Sequence, residues 1–169
     1  MRRALVPLAL VSLLGVAVQI TIFSTLRFGG VVVMLVWLWP FCVGLAGFTS
    51  LALVAAVITG FFFDTHGTTP FGLSVAVALV LAYGASRLGR EGVGDLDSAA
   101  WWVTPALGAL AGFAAPALFV FFGFFALDFN LWRGSLVSAM VVNAVAFCIL
   151  ARPVTRVARA IGGLEVARR

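Results

Sequence analysis

Few side chains able to do chemistry interrupt this sequence, and two of them lie close together. Asp64 and His66 stand two residues apart in GFFFDTHGTTPFGLS, residues 60–74. A carboxylate and an imidazole are metal ligands or acid–base groups, but a pair falls well short of a zinc-type ligand set. The sequence contains no H-E-x-x-H, P-loop or G-x-S-x-G pattern. No catalytic, cofactor-binding or metal-binding residues are therefore assigned. Cys42 and Cys148 each sit inside an apolar run without spacing partners, and read as small buried hydrophobes.

Asp64 admits two readings. Ionisable groups at a membrane are often functional. Aspartate is also an ordinary turn residue that accepts hydrogen bonds from nearby backbone N–H groups. The surrounding DTHGTTP is rich in turn formers, which favours the turn. Pro70 then suits the first turn of a following helix, with Thr69 as its cap. Gln19 and Asn143 fall in the middle of apolar segments. Hydrogen bonding across helices, at ~1 kcal/mol each, is favoured for them over ligand contact.

The elements that hold these residues follow from composition. The chain has 169 residues, 63% hydrophobic and 10% charged, with a mean hydropathy of +1.18. Its 11 basic and 6 acidic side chains are too few to clothe a soluble protein of this size. A lipid-facing exterior removes the difficulty, so the class is an all-α integral membrane protein. Every basic residue is arginine, and Ala, Gly and Val abound, as in proteins of GC-rich bacteria. The net charge of +5 comes from Arg2, Arg3 and a run after Leu150, a pattern that orients a membrane protein and does not point to nucleic acid.

Apolar segments cover residues 4–26, 30–63, 70–88, 101–126 and 131–151. The first resembles a secretion signal but is too long for one, and reads as a retained spanning helix. The 34-residue block 30–63 exceeds one crossing. Its expected break is 44–50, leaving a short helix over 30–43 and a fuller one over 48–63. Pro40 kinks or ends the short one. Trp37 and Trp39 favour the interface, so this element is tilted or re-entrant. Gly108 and Gly112 form G-x-x-x-G, with Ala111 and Ala115 extending a small face, expected to pack within the chain before any dimer. Pro116 is expected to kink that helix. The aromatic run 119–125 is expected to point outward all round.

Six passes with both termini inside place nine arginines in the cytoplasm and only Arg27 and Arg133 outside. With five passes, Arg87 and Arg90 would move outside. The organisation is thus a six-helix membrane domain, 1–151, and a basic juxtamembrane tail, 152–169. In the tail Val154, Val157 and Ile161 share one helical face, and Arg152, Arg156 and Arg159 another. That suits a separate amphipathic helix after Pro153 lying on anionic lipid, or a simple topology anchor.

Residues 60–88, GFFFDTHGTTPFGLSVAVALVLAYGASRL, resemble the hallmark segment of the MreD family, the bacterial rod shape-determining membrane proteins. Gly60 and Asp64 match its Gly-rich helix ending in aspartate. Pro70, Phe71, Gly72 and Leu73 match the re-entry, and Tyr83, Gly84, Arg87 and Leu88 the close. Elsewhere the similarity is general: length, about six segments, basic ends. The resemblance implies a non-enzymatic scaffold without cofactor in the cytoplasmic membrane. Its implied partners are MreC and, through the complex, RodA, its partner transpeptidase, MreB and membrane lipids. It also implies a fold like the substrate-binding subunits of energy-coupling-factor transporters, which supplies the alternative function of small-molecule binding.

Overall fold

The computed structural model describes residues 2–23, 27–28, 31–66, 70–91, 101–123 and 136–166. Helix α1, Arg2–Val18, runs on into a π-helical turn, Gln19–Phe23. Two short strands follow, β1 (Arg27–Phe28) and β2 (Val31–Val32), paired antiparallel with Arg27 opposite Val32. A 3-10 turn, Leu35–Trp37, leads into α2, Leu38–Leu45. The remaining helices are α3 (Thr49–His66), α4 (Leu73–Glu91), α5 (Val103–Gly123) and α6 (Leu136–Val166). Five helical stretches are long and apolar enough to cross a membrane, and Leu35–Leu45 is a shorter apolar one. This is the expected all-α membrane architecture, with the short element second.

Leu35–Leu45 is about 18 Å long by helical rise, against ~30 Å of hydrocarbon. Its neighbours show which way it runs. Ser12 meets Trp39 and Gln19 meets Val33, so α2 is antiparallel to α1. Asn143 meets Met34 and Ala151 meets Cys42, so α2 is parallel to α6. Gly60 lies on Val75 and Asp64 meets Gly72 and Ser74, so α3 and α4 are antiparallel; Gly108 lies on Phe147 and Ala151, and Gly112 on Asn143, so α5 and α6 are antiparallel too. Gly44 beside Ala82 and Gly89 beside Leu45 set α2 along α4. The short helix therefore runs in the direction expected of a second pass, opposite to α1 and along α4 and α6. Arg87, Arg90, Arg152 and Arg156 consequently lie at one end of the bundle.

Three expectations about this core change. Trp37 and Trp39 do not face lipid headgroups: both are buried inside the bundle, Trp37 against Phe119 at 5.4 Å between ring centroids and Trp39 donating from Nε1 to Ser12 Oγ at 3.0 Å. Phe119 accordingly turns inward, while Phe121 and Phe122 stay exposed. Pro153 does not start a new helix, since α6 continues through it to Val166. Pro153 is exposed and removes one donor only, whereas Ala151, Thr155 and Ala158 bury the opposite flank on both sides of it. Thr49–His66 and Leu73–Glu91 begin and end within a few residues of the segments expected there.

Two glycines of the family-like segment have opposite surroundings. A Cβ on Gly60 would stand 2.5 Å from Val75 Cα and 2.6 Å from Val75 N, so the backbones of α3 and α4 would have to separate. A Cβ on Gly84 meets nothing within 4 Å. Gly60→Ala is expected to cost ~1–3 kcal/mol through overpacking. Gly84→Ala is expected to leave stability level or raise it by up to ~1 kcal/mol through helix propensity. Thermal unfolding of the two variants in one detergent checks the contrast; equal effects would refute it.

Candidate functional site

Two buried primary amides, Gln19 and Asn143, converge on one strip of non-helical backbone. Residues 33 and 34 carry neither helix nor sheet, and Leu35 only opens the 3-10 turn. Met34 O and Leu35 O accept from the following 3-10 turn, but the Val33 carbonyl and the Met34 and Leu35 amides take their partners from side chains. Gln19, buried on the π-turn of α1, supplies both kinds of bond. Its Nε2 donates to Val33 O at 2.8 Å, and its Oε1 accepts from Leu35 N at 2.7 Å. Asn143, buried on α6, accepts from Met34 N through Oδ1 at 2.7 Å and donates from Nδ2 to Ala139 O at 2.9 Å. Two primary amides thus stand in for the strand that a sheet would have provided. Both side chains do bond across elements, but their partners are backbone atoms of the chain that enters α2.

At the C-terminal end of α3 a carboxylate does similar work. Asp64 is 4% exposed, in the last turn of α3. Its Oδ2 accepts from Gly72 N at 2.8 Å and its Oδ1 from Ser74 N at 3.2 Å. These are orphan donors at the start of α4, and a negative group there is also favoured by the helix dipole. Asp64 is therefore a cap delivered from the preceding helix. Gly72 has φ +94°, a left-handed conformation that suits glycine and lets its N–H face back toward α3. Pro70 lies before the turn, since α4 starts at Leu73. Thr69 lies outside the described residues.

Around this turn Phe71 is exposed and meets Phe61 edge-on at 5.3 Å, and Phe61 meets Phe62 at 5.6 Å. Such a cluster fits a membrane–water interface. His66 is exposed; its Nδ1 lies 2.9 Å from Phe62 O and 3.2 Å from Thr65 Oγ1. No group of three His, Cys, Asp or Glu side chains able to hold a metal occurs among the described residues. Cys42 is fully buried with Sγ 3.6 Å from Ala151 O, and Cys148 is half-buried.

Farther along α4, the Arg87 Nε and Nη2 donate to Tyr83 Oη at 3.1 and 3.0 Å, and the guanidinium lies 5.5 Å from that ring's centroid. Gly84 lies beside this pair on an outward face. Gly108 and Gly112 both face α6, so the G-x-x-x-G face is spent inside the chain. Ser12 and Thr155 were not singled out by sequence. Ser12 holds Trp39, and Thr155 donates to Ala151 O at 2.7 Å, yet a lone hydroxyl in an apolar run carries no signal of either role.

Fold and site together define an all-α, multi-pass membrane protein whose buried polar groups shape backbone. No family model, curated protein or solved structure matches the chain.

Proposed function

We propose that the chain is a non-catalytic membrane scaffold of the bacterial cell-elongation machinery, similar to MreD proteins. It would sit in the cytoplasmic membrane with both termini inside, where the positive-inside rule puts its arginine-rich end. Its direct partner would be the single membrane helix of an MreC-like protein, and through it RodA, its partner transpeptidase and MreB. The observation that carries this reading is Gly84. It belongs to the family-like segment, yet it is exposed and no atom of the chain crowds it. A glycine without an internal neighbour on a lipid-facing helix is where a second helix can come close. Val80 and Leu88, one turn either side, are exposed as well, and Tyr83 and Arg87 flank the row. Of the polar residues that could have bound a ligand, Gln19, Asp64 and Asn143 are instead engaged with backbone, and His66 lies exposed with Nδ1 beside Phe62 O.

Co-purification from membranes with an MreC-like partner is the test. Wild type and Gly84→Ala are expected to retain the partner, and Gly84→Leu to lose it while keeping its own unfolding temperature. Absence of any such association, or its full retention in Gly84→Leu, would overturn the proposal. Stabilisation by a vitamin at saturating concentration without association would favour a transporter subunit instead.

A further inference from the structure

Helix α6 is longer than a bilayer requires. Its 31 residues extend about 46 Å, against ~30 Å of hydrocarbon. One outward ridge runs along it in steps of four: Val137, Val141, Val145, Ile149, Pro153 and Val157, all exposed. From Val137 to Val157 the ridge covers about 30 Å, one hydrocarbon thickness. Arg152 and Arg156 are exposed beside its last turns, one residue before Pro153 and Val157.

The opposite flank fixes this arrangement. Ala151, Thr155, Ala158 and Ile161 are buried, and Gly162 seats against the Phe48 ring, so α6 cannot roll its arginines away from the bilayer. Arg152 lies about 7.5 Å short of the end of the ridge, within reach of the headgroups by snorkelling. The antiparallel pairing of α5 and α6 brings the exposed Trp101 and Trp102 to the same level, and tryptophan marks the headgroup zone. Asp64 is at the far end of the bundle. Neither arginine has an acidic partner among the described residues.

We infer that Arg152 and Arg156 hold the phosphate of an anionic phospholipid whose acyl chains lie along Ile149 and Pro153. Guanidinium groups one helical turn apart can both donate to one phosphate, with charge-assisted bonds in forked geometry. The apolar ridge beside them receives the tails. The inference is independent of the scaffold reading, which concerns α4.

Native mass spectrometry of the purified full chain tests it, with phosphatidylglycerol and phosphatidylcholine of identical chains offered at equal concentration. Wild type is expected to retain phosphatidylglycerol preferentially. Arg152→Gln/Arg156→Gln is expected to lower that preference by roughly thirtyfold, since each arginine at an anionic surface contributes roughly fivefold. Arg90→Gln, which removes a charge from the same end but not from α6, is expected to leave it unchanged. The Arg152→Lys/Arg156→Lys pair, which keeps charge but not the fork, should fall between wild type and the Gln pair and serves if the Gln pair does not fold. Equal retention of the two lipids by wild type would overturn the site. So would full retention by either double variant, or a loss in Arg90→Gln as large as in the Gln pair.

Discussion

Gln19→Leu is expected to destabilise the folded bundle by ~2–4 kcal/mol, several times the ~0.6 kcal/mol typical of an interhelical hydrogen bond in a membrane. The difference lies in what is left behind. An ordinary polar pair, once broken, returns two side chains to whatever partners the lipid-embedded helices offer. Gln19 is bonded to Val33 O and Leu35 N, which are backbone groups that no helix provides with a partner. Leucine is close to glutamine in size but leaves one carbonyl and one amide without partners inside the bundle. Asn143→Leu removes the acceptor for Met34 N and should act in the same direction with a smaller effect. A second readout separates local from global loss. A cysteine introduced at Leu35 should resist a membrane-impermeant maleimide in the wild-type background and react when Gln19 is also leucine. Stability within ~0.5 kcal/mol of wild type, with labelling unchanged, would remove the clamp as an explanation.

Asp64→Ala is expected to cost ~2–5 kcal/mol, because it deletes two hydrogen bonds from a buried ionised acceptor, each worth ~1.5–3 kcal/mol. It also withdraws the negative charge from the N-terminus of α4. The effect should appear as lower membrane levels and a lower unfolding temperature. Asp64→Asn keeps one acceptor oxygen and should recover part of the loss, whereas an acid–base group would be as dead in Asn as in Ala. Normal membrane levels and normal stability of Asp64→Ala would sink the capping role. Equal damage in Asn and Ala variants, with stability intact in both, would restore a chemical role to the carboxylate.

The long helices were legible because hydrophobic length is a property of the sequence itself. The break at 44–50 was legible for the same reason, and α2 and α3 meet there in a turn whose Gly47 has φ +90°. The turn character of Asp64 could be read from its neighbours, but not that its partners are Gly72 and Ser74 N–H. The roles of Gln19 and Asn143 were only half visible. Sequence shows two amides in apolar runs; it does not show that residues 33–35 leave the helix, which is what the amides answer. Trp37 and Trp39 misled because an interfacial preference is an average. Here a hydroxyl on α1 gives Trp39 a buried partner, and Phe119 covers Trp37. Pro153 misled in the opposite sense, since tertiary burial on one flank of α6 outweighs one missing donor.

The bond between Met34 N and Asn143 spans 109 residues of chain, and this bears on how the protein is made. At roughly 5 to 20 residues per second of synthesis, the Met34 amide exists for about 5 to 20 s before its partner leaves the ribosome. Throughout that interval Gln19 on α1 is already present, so its bonds to Val33 O and Leu35 N can form first. A ribosome-stalled chain ending before residue 143 is therefore expected to hold residues 33–35 by Gln19 alone, and a cysteine placed at Met34 should react faster with maleimide there than in the full chain.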